Sequence, residues 1–241
     1  MRIKVLGTGA VPSSQRSCGY LIDGCILVDN PNGGWKLIED LGYDLVDIDN
    51  ILLTHFHADH YFDMPFVFLT REGSTDKTLN VFCGKSGPEY IYNALDIAFP
   101  DIAQYVRDIP INFNNDDTFQ VMDYHVRRYE VTHGTLPECY SYVFDDDRQK
   151  IGFSGDTCLC DGILQAIEGC KHFILECSQA SNTAMKGGKA HLRVDQFNKI
   201  AEDNPGCTFY ATHMSSYSRA EITENHPENV IILNDLDELE L

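Results

Sequence analysis

Three histidines and a carboxylate fall within six positions, His55-Phe56-His57-Ala58-Asp59-His60, directly after the apolar run Ile51-Leu52-Leu53. So many polar donors cannot all be satisfied in an apolar core. In an extended or turning segment His55 and His57 project the same way, so both can reach one metal ion. Asp59 and His60 lie further round the turn and can reach a second. Two ions need more donors than these four. His133 precedes Gly134 at the end of an apolar–polar strand pattern, and His213 follows Phe209-Tyr210-Ala211-Thr212. Asp156 closes the strand-like run Ile151-Gly152-Phe153-Ser154-Gly155. Taken singly each is an ordinary residue; ligands at the ends of several strands are how a sheet gathers a site at one edge. His125, His172 and His226 receive no role.

Other motifs fail on one residue each. Gly7-Thr8-Gly9 starts like a dinucleotide loop, but Pro12 occupies the place of the third glycine. Gly84-Lys85-Ser86 resembles the end of a phosphate loop with Leu79 where the first glycine belongs. In Gly152-Phe153-Ser154-Gly155-Asp156 the aspartate replaces the last glycine of a nucleophile elbow. The nine cysteines lack the paired spacing of a disulfide framework, and Cys158-x-Cys160 is not a zinc-ribbon spacing. They read as reduced thiols used as small core residues, which implies a cytoplasmic protein.

The elements that must position these donors are short. Strands are expected at Ile3–Leu6, Gly19–Ile22, Ile26–Val28, Ile51–Leu53, Val81–Cys83, within Phe119–Val131, at Phe173–Leu175 and at Cys207–Ala211. Asp29-Asn30-Pro31-Asn32-Gly33-Gly34 reads as a turn. Helices are expected at Trp35–Leu41, Pro88–Phe99, Asp161–Glu168 and Leu192–Glu202. Tyr140–Phe144 and Lys150–Phe153 read as a hairpin, and Val230–Leu233 with Glu238–Leu241 as a closing one. Strand-dense halves, each followed by helices, predict two sheets flanked by helices in one domain over residues 1–241.

Lys and Arg total 18 against 37 Asp and Glu, a net charge of −19. Such a surface does not steer a polyanion, so DNA is not an expected partner. No apolar run reaches the ~20 residues needed to cross a bilayer. The N-terminus has no run long enough for a signal peptide.

At this point the chain resembles the metallo-β-lactamase-fold hydrolases, and within them the phosphodiesterase branch containing ribonuclease Z. The resemblance is carried by Gly-Thr-Gly-Ala-x-Pro-Ser-x-x-Arg at 7–16, the His-x-His-x-Asp-His segment, His133, Gly155-Asp156-Thr157, Glu176, His191-Leu192 and Thr212-His213. It implies a four-layer αββα sandwich with the metal site at one edge of the two sheets. It implies one metal on His55, His57 and His133, a second on Asp59, His60 and His213, and Asp156 bridging. Two divalent ions, zinc or else manganese or iron, would hold a bridging water as hydroxide for in-line attack on phosphorus. Asp59 joins the catalytic set, and the similar motif makes His191 the acid for the leaving alkoxide with Glu176 orienting it. Lys186, Lys189 and Arg16 are candidate substrate contacts.

Three features depart from ribonuclease Z. Only 23 positions (156 − 133) separate His133 from Asp156, where that family carries a tRNA-gripping arm. Tyr61-Phe62-Asp63 follows His60 where a glycine is usual, and Met214-Ser215-Ser216-Tyr217 follows His213 in place of Pro-Arg-Tyr. The expected substrate is therefore a small or cyclic phosphodiester or a short RNA. Alternatives are tRNA 3′ processing, with a homodimer lending positive surface, and lactone or thioester hydrolysis. A di-iron oxidoreductase would carry a Glu at position 57, and a silent binding module would have lost a ligand position.

Overall fold

The computed structural model describes residues 1–183 and 190–241. Strands β1 (Arg2–Gly7), β2 (Gly19–Ile22), β3 (Ile26–Val28), β4 (Asn50–Leu52), β5 (Leu79–Phe82) and β6 (Ile111–Asn114) precede β7 (Thr118–Val121), β8 (Tyr124–His133), β9 (Leu136–Asp145) and β10 (Lys150–Phe153). After them come β11 (His172–Glu176), β12 (Thr208–Thr212), β13 (Val230–Ile232) and β14 (Glu238–Glu240). Helices are α1 (Gly34–Asp40), α2 (Ala58–Tyr61), α3 (Met64–Arg71), α4 (Gly87–Ala98), α5 (Ala103–Val106), α6 (Asp161–Ile167), α7 (Val194–Asp203) and α8 (Ser216–Glu224). None is long and apolar enough to cross a membrane.

The chain divides into two compact units, Met1–Gly7 with Ser17–Asn115 and Asp235–Leu241, and Thr8–Arg16 with Asp116–Asn234. The first holds a seven-stranded sheet ordered β14-β1-β2-β3-β4-β5-β6; the second holds one ordered β13-β12-β11-β10-β9-β8-β7. In the first sheet β14, β1, β2 and β3 pair antiparallel, and β3 to β6 run parallel. The second sheet repeats the plan: β7 to β10 antiparallel, β10 to β13 parallel. Buried strands such as β3 (Ile26-Leu27-Val28) are continuously apolar because both faces are covered. The first core gathers Leu27, Trp35, Ile51, Phe68 and Val81, the second Val131, Ile163, Phe173, Phe197 and Phe209.

The parallel halves matter for function, because parallel strands bring their carboxyl ends to one edge. In the first sheet β3 and β4 end side by side at Val28 and Leu52. In the second, Phe153 aligns with Ile174, and Glu176 with Thr212. Every ligand candidate in the sequence falls just beyond such an end or, for His133, at the last residue of β8.

One expectation is corrected. Val230–Leu233 and Glu238–Leu241 do not form a hairpin: β13 pairs parallel with β12 and β14 antiparallel with β1. Alternation specifies which face of a strand is buried, not its partner, and here each strand extends a different sheet. Helix α3 (Met64–Arg71) was not expected; it begins with Pro at its first turn and ends at a buried Arg71. That guanidinium donates to the Ile48 and Lys77 carbonyls and to Asp49 Oδ1, at 3.1, 2.7 and 3.1 Å.

Residues 134–155 are filled by β9, the turn after it and β10. The loop beyond β10 returns to β8, where Cys158 N donates to Thr132 O at 2.8 Å, and then enters α6. Gly162 makes this possible: a Cβ there would lie 1.8 Å from the backbone oxygen of Glu130. Gly162→Ala is expected to lower stability by about 2 kcal/mol or more, since the neighbour is main chain and cannot yield cheaply. Gln165→Ala on the exposed face of α6 should change it by less than about 0.5 kcal/mol. Urea unfolding of the full-length chain checks both.

Candidate metal centre

In the first unit the donors are organised by Asp29, which follows β3 and is 2% exposed. Its backbone is left-handed, φ 59°, a conformation Asp tolerates better than most residues. Thr54 N donates to Asp29 Oδ1 at 2.8 Å, and Thr54 Oγ1 donates to Oδ2 at 2.9 Å. His60 Nδ1 lies 2.7 Å from the same Oδ2. His55 Nδ1 lies 3.0 Å from Thr54 Oγ1. A hydroxyl has one hydrogen, and Thr54 spends it on Asp29, so His55 must donate from Nδ1. His55 and His60 therefore both carry the ring hydrogen on Nδ1 and present the lone pair on Nε2. The His55 ring centroid is 4.1 Å from that of His60 and 4.9 Å from that of His57, and His60 Nε2 is 3.7 Å from Asp59 Oδ2. His55 and His60 are buried while His57 is exposed. Asp63, just beyond, accepts from Trp35 N at the start of α1 at 3.0 Å. Burial pushes its carboxyl above the usual range, against the pull of the Trp35, Gly33 and Gly34 N–H groups and the Lys36 charge.

In the second unit the organiser is Glu176, the last residue of β11 and fully buried. It accepts from the backbone N–H groups of Thr157 (2.9 Å), Ser178 (3.0 Å) and Leu192 (3.3 Å), and His191 Nδ1 lies 2.8 Å from its Oε1. These bonds fasten the loop that carries Asp156 and the segment that carries His191 to one strand end. Ser178 Oγ donates to the His213 carbonyl at 2.8 Å and so accepts from His213 Nδ1 at 2.7 Å. His133 Nδ1 donates to the Ala190 carbonyl at 2.6 Å. Both imidazoles again present Nε2. Asp156 sits among them, Oδ2 at 3.7 Å from His133 Nε2 and 3.8 Å from His191 Nδ1, and Oδ1 at 3.3 Å from His213 Nδ1. Asp156, Glu176, His191 and His213 each offer a donor atom within 4.8 Å of the others.

The donor chemistry fits divalent ions. Five histidines of the two clusters, His55, His60, His133, His191 and His213, have Nδ1 committed to a protein oxygen, the arrangement that orients a metal-binding imidazole and fixes its tautomer. Glu176 is different: its oxygens already accept several hydrogen bonds, among them that of His191. Among the described residues no cysteine joins these clusters. Burial pushes the Cys177 thiol well above its ordinary value, with the Glu176, Glu221 and Asp195 charges adding to it, and burial takes Cys170 and Cys207 up to about 12.

Within the first unit the structure brings together His55, His57, Asp59 and His60; within the second it brings together His133, Asp156, Glu176, His191 and His213. Arg16 is exposed on the loop whose carbonyl accepts from Gly9 N. Lys186 and Lys189 lie outside the described residues. Sequence reading missed Asp29, Thr54, Ser178 and the Ala190 carbonyl. Asp29 directly follows the apolar strand Ile26-Leu27-Val28, but it stands in a turn whose composition needs no site to explain it.

The family described as the beta-lactamase superfamily domain matches residues 30–214. Among curated relatives, ribonuclease Z of Agathobacter rectalis is 30% identical over 124 residues, 51% of this chain and 40% of that protein. Ribonuclease Z of Pyrococcus abyssi is 28% identical over 156 residues, 61% of this chain and 49% of that protein. The chain thus spans less than half the length of either. Among solved structures, the metallo-β-lactamase fold protein YhfI from Bacillus subtilis superposes with a TM-score of 0.78 at 16% identity, covering 99% of this chain and 98% of its own. A diphosphatase from the PhnP family gives 0.76 at 19% identity, covering 100% and 97%. The short form of human tRNase Z gives 0.74 at 17%, covering 100% and 99%. With the family match covering residues 30–214, and with this fold, the chain belongs to the beta-lactamase superfamily and is a metallo-β-lactamase-fold protein distantly related to ribonuclease Z.

Proposed function

We propose that residues 1–241 act as one dinuclear metal-dependent phosphodiesterase on small or cyclic phosphodiesters or short RNA. In this reading the two donor clusters form one set: His55, His57 and His133 for one ion, Asp59, His60 and His213 for the other, Asp156 shared. Two divalent ions held there, zinc before manganese or iron, would supply an activated water and offset negative charge at the phosphoryl oxygens.

The observation that carries the reading is the His191–Glu176 pair beside Asp156. Glu176 takes the Nδ1–H of His191 and fixes the ring, so the proton available for a departing alkoxide sits on Nε2 when the imidazole is charged. Alkoxides leave phosphorus poorly without that proton, so a positioned acid favours a diesterase. Asp59, partly exposed beside His60, holds the attacking side. Small substrates are favoured because β9 and β10 occupy the segment between His133 and Asp156, and because 18 cations against 37 acids suit a single phosphate better than a folded RNA. The ribonuclease Z relatives keep tRNA 3′ processing as the second reading.

His191→Ala should lower turnover of a diester with an alkyl leaving group by about 100-fold or more, but of bis-p-nitrophenyl phosphate by less than about 10-fold, because p-nitrophenolate needs little protonation. Equal losses on both substrates would remove the acid role, and loss of metal would make His191 a ligand.

Comparing a 3′-extended tRNA with 2′,3′-cyclic and bis-aryl phosphodiesters, under one salt and metal condition, decides the substrate class. The small diesters should have the higher kcat/KM. Efficient cleavage of the tRNA at its mature 3′ end would instead establish the second reading, and turnover of lactones alone would exclude both.

A further inference from the structure

The second unit contains a cavity of about 440 Å³ that takes no part in the chemistry above. Among its lining residues are Thr118, His125, Arg127, Tyr129, Asp145 and Lys150. Register explains why they meet. Thr118 pairs with Arg127, His125 with Asp145, and Asp145 with Lys150, and cross-strand partners share a face. His125, Arg127 and Tyr129 follow at period two along β8 and share it as well. Further along, α6 covers that face, and Tyr129 packs against the core containing Ile163 and Ala166. Beyond the helix the sheet is open, which leaves the cavity.

Its charge is opposite to that of the chain. Arg127 and Lys150 are permanent cations, His125 is a further donor, and Asp145 is the one acid in the lining, with its Oδ1 accepting from Asp147 N at 3.0 Å. Among the described residues Arg127 and Lys150 form no ion pair, in a chain where acids outnumber Lys and Arg by 37 to 18. The Arg127 guanidinium lies over the Tyr129 ring, 4.9 Å from its centroid, which leaves its N–H edge for an oxyanion. His125 and His133 lie eight positions apart on β8, roughly 25 Å along a strand, so the His125 end of this cavity and the donor cluster cannot hold the same phosphate.

We propose that this cavity is a binding site for a phosphate-bearing small molecule of nucleotide size, separate from the metal centre. The volume lies in the range of small-ligand sites, about 300–1,000 Å³. Two fixed cations with His125 match one or two phosphate groups, whereas a long polyanion would be repelled by the rest of the surface.

The test is calorimetric titration of ADP, and separately of inorganic pyrophosphate, into the full-length metal-loaded chain. One ADP should bind, Arg127→Ala and Lys150→Ala should each weaken it by about tenfold or more, and Asp156→Ala should leave it unchanged. Hydrolysis of bis-p-nitrophenyl phosphate by the Arg127 and Lys150 variants should match that of the unaltered protein. In the isotope-labelled chain the Arg127 Nε–H resonance should shift with ADP. Undiminished binding in both cation variants, loss of binding in Asp156→Ala, an unmoved Arg127 resonance, or no saturable binding at millimolar ADP would each overturn the proposal, as would tighter binding of a short RNA at the same residues.

Discussion

A carboxylate sealed from water must be met by enough donors to replace its hydration, and Glu176 is such a group. Thr157 N, Ser178 N, Leu192 N and His191 Nδ1 converge on it from three separate segments. The cost of leaving that charge unmet is what holds the segments together. The same contacts locate Asp156 through its neighbour Thr157, His213 through Ser178, and His191 directly. Asp29 does the same work in the other unit, where its two oxygens fix Thr54 and His60 and, through Thr54, His55. Each sheet thus carries one buried acid just past or at a strand end, and each acid orders imidazoles rather than competing with them for an ion.

The two sheets share an order of pairing, antiparallel strands followed by parallel ones. Parallel pairing needs crossover connections, and helices fill them, so β3, β4 and β10 each reach the next helix through a loop of five to seven residues, a restraint on the loops that carry donors. That restraint suits metal-binding chemistry, in which donors must be held before the ion arrives. A close backbone approach such as Gly162 against Glu130 lets the loop that follows Asp156 return to its sheet.

Much of this was legible in the sequence. The His-x-His-x-Asp-His segment stands out because no apolar core could absorb it, and the strands before His55, His133, Asp156 and His213 are apolar enough to recognise. The partners of those histidines were not legible. Thr54, Ser178 and Ala190 become oxygen partners only once neighbouring strand ends are known, and Asp29 is hidden in a Pro- and Gly-rich turn whose composition explains itself without any site. Strand partners escaped for a related reason: β13 and β14 alternate as a hairpin would, yet alternation says nothing of which sheet each joins. The cations of β8 and β10 lie far apart in sequence and meet only through register.

The central claim is that these donors hold two ions per chain. Metal analysis of the 241-residue chain, purified without chelator and then equilibrated with excess zinc and dialysed, tests it most directly. Two equivalents of metal per chain are predicted, because seven donor positions exceed what one zinc accepts. A saturated protein retaining one equivalent, or none, would contradict it.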